Sequence, residues 1–364
     1  MTVRLVYETH STTLDNEEGI ATGWLPGELS ATGRENAADL GRRRRDDGVD
    51  LVVSSDLARA LETCRIAFEG SGIEVRTDPR LRECDYGELN GAPVRVVHAE
   101  RRARVDRPYP GGQSYREVTS GLRQLLDELL AERDGQRVVL VGHAATRFGL
   151  DHLLTGRPLE ASVVAAFGWR PGWEYLLGPD LPHVEVLGRA DALSAGDEVV
   201  TVYRAAFGAP GYDETEEQVR TFATEVLPKH ATYAGFRMAV LREKGTLLGF
   251  AYGYTGEHGQ WWTERVKTTA PSEAATVLGA WLGGHFEVAE LAVDPGAQGR
   301  GFGAALMDAL LLGIPHDRAL LSTYTGDRPA TRLYARLGWR RLVSGVLDGS
   351  DLWGLHLDRG RLPG

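Results

Sequence analysis

Apolar positions in the first half of the chain follow two rhythms. Short, mostly apolar runs at residues 3–7, 50–54 and 137–141 have the length of strands buried on both faces. Between them, apolar positions recur at helical spacing. Residues 30–48 predict a helix capped by Ser30, with Ala37 and Leu40 turned inward. Residues 57–68 predict a second helix. Residues 115–133 predict a long amphipathic one carrying Val118, Leu122, Leu125, Leu126 and Leu129 on one face. Another should follow Gly142-His143. Strands alternating with helices predict an α/β unit with a mostly parallel, doubly covered sheet.

The rhythm fades over 169–183, where Pro171, Pro179, Pro182, Gly172 and Gly178 cluster. Residues 173–177 read as a last edge strand. The expected division is a first domain at 1–178, a linker at 179–183 and a second domain at 184–358. The second begins with a strand at 184–187 and a helix to about Phe207. Strand-like runs at 236–241 and 246–254 flank Arg242-Glu243-Lys244-Gly245, a plausible hairpin turn. A strand at 286–293, a helix at 303–313 and a strand at 320–324 follow.

Composition narrows the field. The chain has 364 residues, a formal net charge of −10 and 42% hydrophobic residues. A general nucleic-acid binder would carry a basic surplus, so no nucleic-acid partner is expected. Two cysteines, Cys64 and Cys84, exclude a disulfide scaffold and a four-cysteine zinc site, and no metal site is expected. Without an 18-residue apolar run or a leader-like start, the expectation is a soluble cytoplasmic protein with no membrane partner. The arginine run at 42–45 reads as a solvated helix end. The oligomeric state is not encoded in any recognisable feature.

Chemistry in parallel sheets gathers at the carboxyl ends of strands. The first strand runs into Thr9-His10-Ser11, the second into Ser54-Ser55-Asp56 with Arg59 beyond, and a later one into Gly142-His143. Two histidines and an arginine on one edge suit phosphoryl transfer: an imidazole attacks phosphorus while cationic donors hold the oxygens. Glu83 in Leu-Arg-Glu-Cys-Asp-Tyr-Gly is the candidate acid for the leaving oxygen. Cys84 reads as a buried apolar residue. His98 and His152 have no motif around them and read as structural or surface groups.

These residues resemble the histidine phosphatase superfamily, the phosphoglycerate-mutase-like fold, a three-layer α/β/α architecture. The likeness spans about residues 3–178. It is carried by Glu8-Thr9-His10-Ser11-Thr12 at the opening motif, Ser54-Ser55-Asp56-Leu57 with Arg59 and Thr63, Leu81-Arg82-Glu83, Pro110-Gly111-Gly112-Gln113-Ser114, and Val141-Gly142-His143. The resemblance implies that His10 is the phosphorylated nucleophile, Glu83 the proton donor, and Arg59 and His143 phosphate ligands. Three positions depart from the pattern. Thr9 replaces the family arginine, Ser11 a glycine, and Glu8 an apolar residue. The expected pocket is therefore about two charge units more negative than its relatives and holds phosphate less tightly. Arg147, four residues after His143, is the candidate replacement cation.

A second constellation lies at 291–306, Leu-Ala-Val-Asp-Pro-Gly-Ala-Gln-Gly-Arg-Gly-Phe-Gly-Ala-Ala-Leu. A strand ends at Val293 and Gln298-Gly299-Arg300-Gly301-Phe302-Gly303 opens a helix. Such a turn lets backbone N–H groups approach an anion. With Leu333-Tyr334 and Gly338-Trp339 downstream, residues 184–357 resemble the GNAT family of acetyl-CoA-dependent N-acetyltransferases. The resemblance implies acetyl-CoA as cofactor, held at Leu291, Val293, Gln298, Gly299, Arg300, Gly301 and Gly303, with Asp327 where many members carry asparagine. It implies Glu290 as base and Tyr334 as proton donor to the departing thiolate. Arg300 should contact phosphate or solvent. Over 252–266, Glu257 and Glu264 either attract a cationic amine or belong to a loop packing its tryptophans.

The reading is thus a two-domain enzyme: an N-acetyltransferase acting on a small amine, preceded by a phosphatase-like domain with an altered pocket and a phosphorylated or related small-molecule substrate. A fully bifunctional phosphohydrolase–acetyltransferase and a silent first domain that only docks a partner remain the alternatives.

Overall fold

The computed structural model describes residues 1–165, 168–347 and 349–357. It divides into two compact units, Met1–Pro182 and the remainder from His183. Among the described residues no helix is long and apolar enough to cross a membrane.

In the first unit, strand β1 (Val3–Thr9) leads to α1 (Leu14–Glu18), β2 (Ile20–Ala21) and α2 (Ala31–Arg44). Then come β3 (Leu51–Ser54), α3 (Ala58–Phe68), β4 (Glu74–Thr77), β5 (Ala92–Pro93) and α4 (Val94–Glu100). The unit ends with α5 (Tyr115–Glu132), β6 (Arg137–Gly142), α6 (Ala144–Thr155), α7 (Leu159–Val164) and β7 (Trp173–Leu177). The main sheet has the order β4-β3-β6-β1-β7, parallel except for the antiparallel edge strand β7. Alternate strand residues serve opposite faces. Leu5, Tyr7, Val53 and Leu140 pack on Leu122, Leu126 and Leu129 of α5. Val6, Val52 and Val139 pack on Leu40 of α2 and Cys64 and Phe68 of α3. Register then sets the site. Thr9 pairs with Gly142 and Ser54 with Val141, so β1, β3 and β6 end side by side.

The second unit starts with β8 (His183–Leu187), α8 (Arg189–Ser194) and α9 (Gly196–Phe207). The single helix expected before Phe207 is two, with the break at Ala195-Gly196, where glycine weakens helix continuity. Next come α10 (Glu216–Thr221), α11 (Leu227–His230), β9 (Arg237–Glu243), β10 (Thr246–Gly256), α12 (Trp261–Thr269) and α13 (Ala275–Trp281). Last are β11 (His285–Val293), α14 (Phe302–Leu311), β12 (Arg318–Tyr324), α15 (Pro329–Arg336), β13 (Arg340–Val346) and β14 (Ser350–His356). The hairpin turn shrinks to Lys244-Gly245, with φ of 55° and 77°, and Arg242 and Glu243 stay in β9. Two left-handed residues match the twist of the strands they join.

The sheet order is β13-β14-β12-β11-β10-β9-β8, and β11 with β12 is its parallel pair. That pair is short. Phe286 meets Ala319 and Glu287 meets Leu320, and beyond Glu287 the two strands no longer pair. On its other side β11 carries a bulge. Tyr252 faces Glu290 while Gly253 faces Val288, so Ala289 is the extra residue. The bulge turns Glu287 and Glu290 to one face despite their odd spacing.

Candidate functional sites

In the first unit the strand ends border a cavity of about 380 Å³ lined by His10, Arg59, Glu83 and His143, the four residues singled out from the sequence. His10 follows β1, and its N–H bonds Gly142 O at 2.9 Å. Its Nδ1 lies 2.7 Å from Ser11 O, a pure acceptor, so Nδ1 carries the hydrogen and Nε2 keeps its lone pair. Burial, reinforced by Arg59, pushes the His10 pKa down to about 3. The ring is therefore a neutral imidazole at pH 7, as a nucleophile must be.

His143 caps α6, its ring 4.8 Å from that of His10. Arg59 Nη2 is 3.3 Å from His143 Nδ1 and can only donate, so Nε2–H of His143 points to Ser55 Oγ at 3.0 Å. Burial, His10 and Arg59 all hold its pKa well below the usual histidine value. Arg59, near the start of α3, is anchored on Gly23 O at 2.7 Å and Leu25 O at 3.3 Å. Glu83 lies at the start of α6. Its Oε1 accepts from Cys84 N (2.8 Å) and Ala145 N (3.1 Å), and its Oε2 from Ala144 N (3.2 Å). Buried Ser11 donates its N–H to Thr63 Oγ1 at 3.0 Å.

The charge inventory differs from the expectation in three places. Glu8 is no bare anion at the cleft. It is 2% exposed, and its Oε1 pairs with Arg44 Nε at 2.9 Å. Arg43 Nη2 stands 3.4 Å from its other oxygen. The arginine run is accordingly not a uniformly solvated helix end, and Arg45 donates to Ala67 O at 2.6 Å. Arg147 does not stand in for the missing cation. It pairs with Asp151 at 2.7 Å, bonds Tyr175 Oη at 3.2 Å and stacks over Trp173. Finally, Arg101 enters the cavity wall. It is 8% exposed, lies over Phe148, has an unpartnered Nε, and meets no carboxylate in ion-pair range among the described residues. No sequence signal marked it, because the segment 94–104 matches no motif. His98 lies exposed at the cavity wall, and His152 Nδ1 lies 2.7 Å from Arg157 O. Burial raises the thiol pKa of Cys84 and pushes that of Cys64 up to about 11, which fits inert core positions.

In the second unit the opening left where β11 and β12 part is followed by the turn into α14. Gly299 and Gly301 adopt φ of 80° and 87°, and Gly301 is the helix N-cap. Leu291 and Val293 are half-buried on the stretch of β11 that pairs with β10 but not with β12, and Gln298 Nε2 donates to Val293 O at 3.1 Å. Gly303 packs beside Leu333, where a Cβ would come within 3.0 Å of Cδ2. Two polar side chains of the expected set have ion-pair partners. The Arg300 guanidinium is held by Glu243 (2.5 and 3.1 Å), lies over Phe302 and stays partly exposed to solvent. Asp327 is an exposed carboxylate paired with Arg332 at 2.8 Å.

Glu290 stands opposite Tyr252, and burial together with the charge of Glu214 pushes its pKa up to about 8. Burial likewise raises the Tyr334 pKa, with Tyr212 and Glu290 adding to it, so the tyrosine and Glu290 share one electrostatic field. Of the two readings of 252–266, the surroundings of Glu257 and Glu264 fit the packing loop better. Glu257 is exposed, and Glu264 is taken by Lys267 and Gly259 N, each at 2.8 Å. Trp262 donates to Ser322 while Trp261 stays exposed. A carboxylate that acts on Glu290 is Glu214, whose Oε2 is buried without a hydrogen-bond partner among the described residues.

Residues 9–163 match the model of the histidine phosphatase superfamily (branch 1), and residues 197–339 that of the acetyltransferase (GNAT) family. The chain is 32% identical over 160 residues to a probable phosphoglycerate mutase GpmB of Erwinia tasmaniensis, covering 42% of this chain and 74% of that protein. It is 38% identical over 143 residues to the GCN5-like protein acetyltransferase Rv2170 of Mycobacterium tuberculosis, covering 37% of this chain and 64% of that one. Among solved structures, the mycobacterial glucosyl-3-phosphoglycerate phosphatase Rv2419c with VO3 matches at 31% identity and a TM-score of 0.41, covering 45% of this chain and 87% of that chain. The chain therefore belongs to the histidine phosphatase superfamily through its first unit and carries a GNAT-family acetyltransferase domain behind it.

Proposed function

We propose that the first unit hydrolyses phosphate esters through a phosphohistidine and that the second transfers acetyl from acetyl-CoA to a small amine. The observation that carries the first half is the tautomer of His10. Nδ1–H is committed to Ser11 O, so Nε2 offers its lone pair in a cavity that also holds Arg59, His143 and Glu83. Nε2 attacks phosphorus and the P–O ester bond breaks. The leaving oxygen takes a proton from the Glu83 carboxyl, and the resulting carboxylate then draws one from the water that splits the N–P bond. Arg59 holds the phosphoryl oxygens. Arg101, a buried cation with no carboxylate in ion-pair range among the described residues, favours an ester bearing a second anionic group. This complete set favours hydrolysis over a docking role. The test is to quench the full chain with a phosphorylated carboxylic acid and look for acid-labile, base-stable phosphate on His10. No phosphoenzyme and no released phosphate would return the unit to docking.

The acetyltransferase half is supported by the parted strands and the glycine turn into α14. The residues suit the cofactor: left-handed Gly299 and Gly301 present a backbone free of side chains at a helix start, where a pyrophosphate is favoured. Bound acetyl-CoA would supply the activated acetyl group. Glu290 accepts the proton of the amine, and the hydroxyl of Tyr334 is the donor on the opposite side of the reaction. Glu214 adds a second carboxylate that suits a cationic acceptor. Thiol release from acetyl-CoA across a panel of small amines tests this half, and a panel without any turnover would count against it.

A further inference from the structure

We infer that Arg43, at the end of α2, is an oxyanion ligand of the His10 cavity and supplies the cation that Thr9 does not. The inference rests on reading that cavity as a phosphate-ester site. It begins with donors. A phosphoryl group on His10 presents three oxygens. Arg59 has already spent both Nη2 hydrogens on Gly23 O and His143 and one Nη1 hydrogen on Leu25 O. Two of its five N–H groups remain. The end of β1 contributes Glu8 and Thr9, neither of them cationic.

Arg43 lines the same cavity as Glu8, Thr9 and His10. Its neighbour Arg44 already neutralises Glu8 at 2.9 Å, and also donates to Asp47 at 2.8 Å and Pro171 O at 3.2 Å. Glu8 and Arg44 thus cancel. Arg43 is then a surplus positive charge, touching Glu8 only at the long distance of 3.4 Å, with a buried Nε that has no hydrogen-bond partner among the described residues. A desolvated N–H without an acceptor is costly, and an oxyanion beside it removes the cost. Arg147 is committed to Asp151 and Tyr175, so it does not compete for this role. The two-charge deficit expected from Thr9 and Glu8 is therefore made up by two consecutive arginines, one for the carboxylate and one for the ligand.

The test is titration calorimetry of the full chain with inorganic phosphate at fixed ionic strength. Arg43→Gln should weaken binding by roughly 10–150-fold, the worth of one charge-assisted hydrogen bond. Arg42→Gln makes the same change in net charge on an exposed side chain paired with Asp39, and should leave affinity unchanged. Adding Thr9→Arg to Arg43→Gln should restore most of the loss, which a merely structural role for Arg43 does not predict. Equal affinity in Arg43→Gln and Arg42→Gln, with Arg59→Gln still abolishing binding, overturns the role of Arg43 alone. If the unaltered chain binds no phosphate, the reading of the whole cavity falls with it.

Discussion

The two units shape their candidate sites with different materials. The first uses side chains. His10, His143, Arg59 and Glu83 each have their polar atoms assigned by specific partners, and three parallel strands ending in register bring them together. The second uses backbone. Two strands that pair at only two residue pairs and a turn with two left-handed glycines shape the opening, and the charged side chains Arg300 and Asp327 are each in an ion pair. A side-chain site is sensitive to the loss of a functional group. A backbone site is sensitive to the gain of a side chain.

That contrast can be broken most sharply at His10. His10→Ala should lower phosphate-ester hydrolysis by more than the ~10²–10⁴-fold that an acid–base group supplies, because the bond-forming atom itself is lost. Acetyl transfer by the same sample should be unchanged, and a parallel loss would deny the units separate chemistries. Next in size, Tyr334→Phe should slow acetyl transfer by ~10²–10⁴-fold while calorimetry shows coenzyme A still bound. A rate equal to that of the unaltered chain would assign the proton to water.

Gly301→Val tests the backbone side of the comparison. A β-branched residue at φ of 87° is strained, and its side chain enters the approach of the pyrophosphate. Coenzyme A affinity should fall at least ~10-fold by calorimetry, with phosphate binding in the first unit intact. Glu8→Gln is smaller and acts on stability. It removes the carboxylate charge facing Arg44 while leaving an amide oxygen as acceptor, and should cost about 1–3 kcal/mol in denaturant unfolding. A neutral result would mean that Arg44 needs no second carboxylate.

The smallest effect is a difference in pH response. In the first unit the depressed pKa values of His10 and His143 mean that the unfolded chain binds more protons below about pH 6.5. Stability should fall as pH drops from there toward 4. The second unit has His230 and His285 held down at about 4 and 3, but Glu287 and Glu290 raised to about 8. The raised carboxyls contribute most below about pH 4.5, and their contribution is lost as pH rises through 8. The opposing trends should flatten the second unit between pH 4.5 and 6.5 and weaken it above. Hydrogen exchange resolved by unit at pH 5, 6.5 and 8 checks this, and identical pH trends in both units would contradict it.

Local pattern carried much of this protein. Short, mostly apolar runs marked β1, β3 and β6, and helical spacing marked α3 and α5 to within a residue at each end. The cavity residues His10, Arg59, Glu83 and His143 were readable because each follows a strand or lies in a short motif; strand register gathers the ends of β1, β3 and β6, and Glu83 joins them through the N–H groups that start α6. The glycine turn at 298–303 was readable for the same reason: backbone conformation is a property of neighbours in sequence. What tertiary structure alone decided is where the charges go. Glu8 finds Arg44 across 36 positions, Arg300 finds Glu243 across 57, and Arg147 finds Tyr175 across 28. Arg101 reaches the His10 cavity and Glu214 acts on Glu290 with no motif to announce either. A long charged side chain takes whichever partner packing brings within about 3 Å, and its energy depends on how far that pair is removed from water. Neither quantity is written in spacing along the chain, so the residue types at the sites came from the sequence and their electrostatics from the fold.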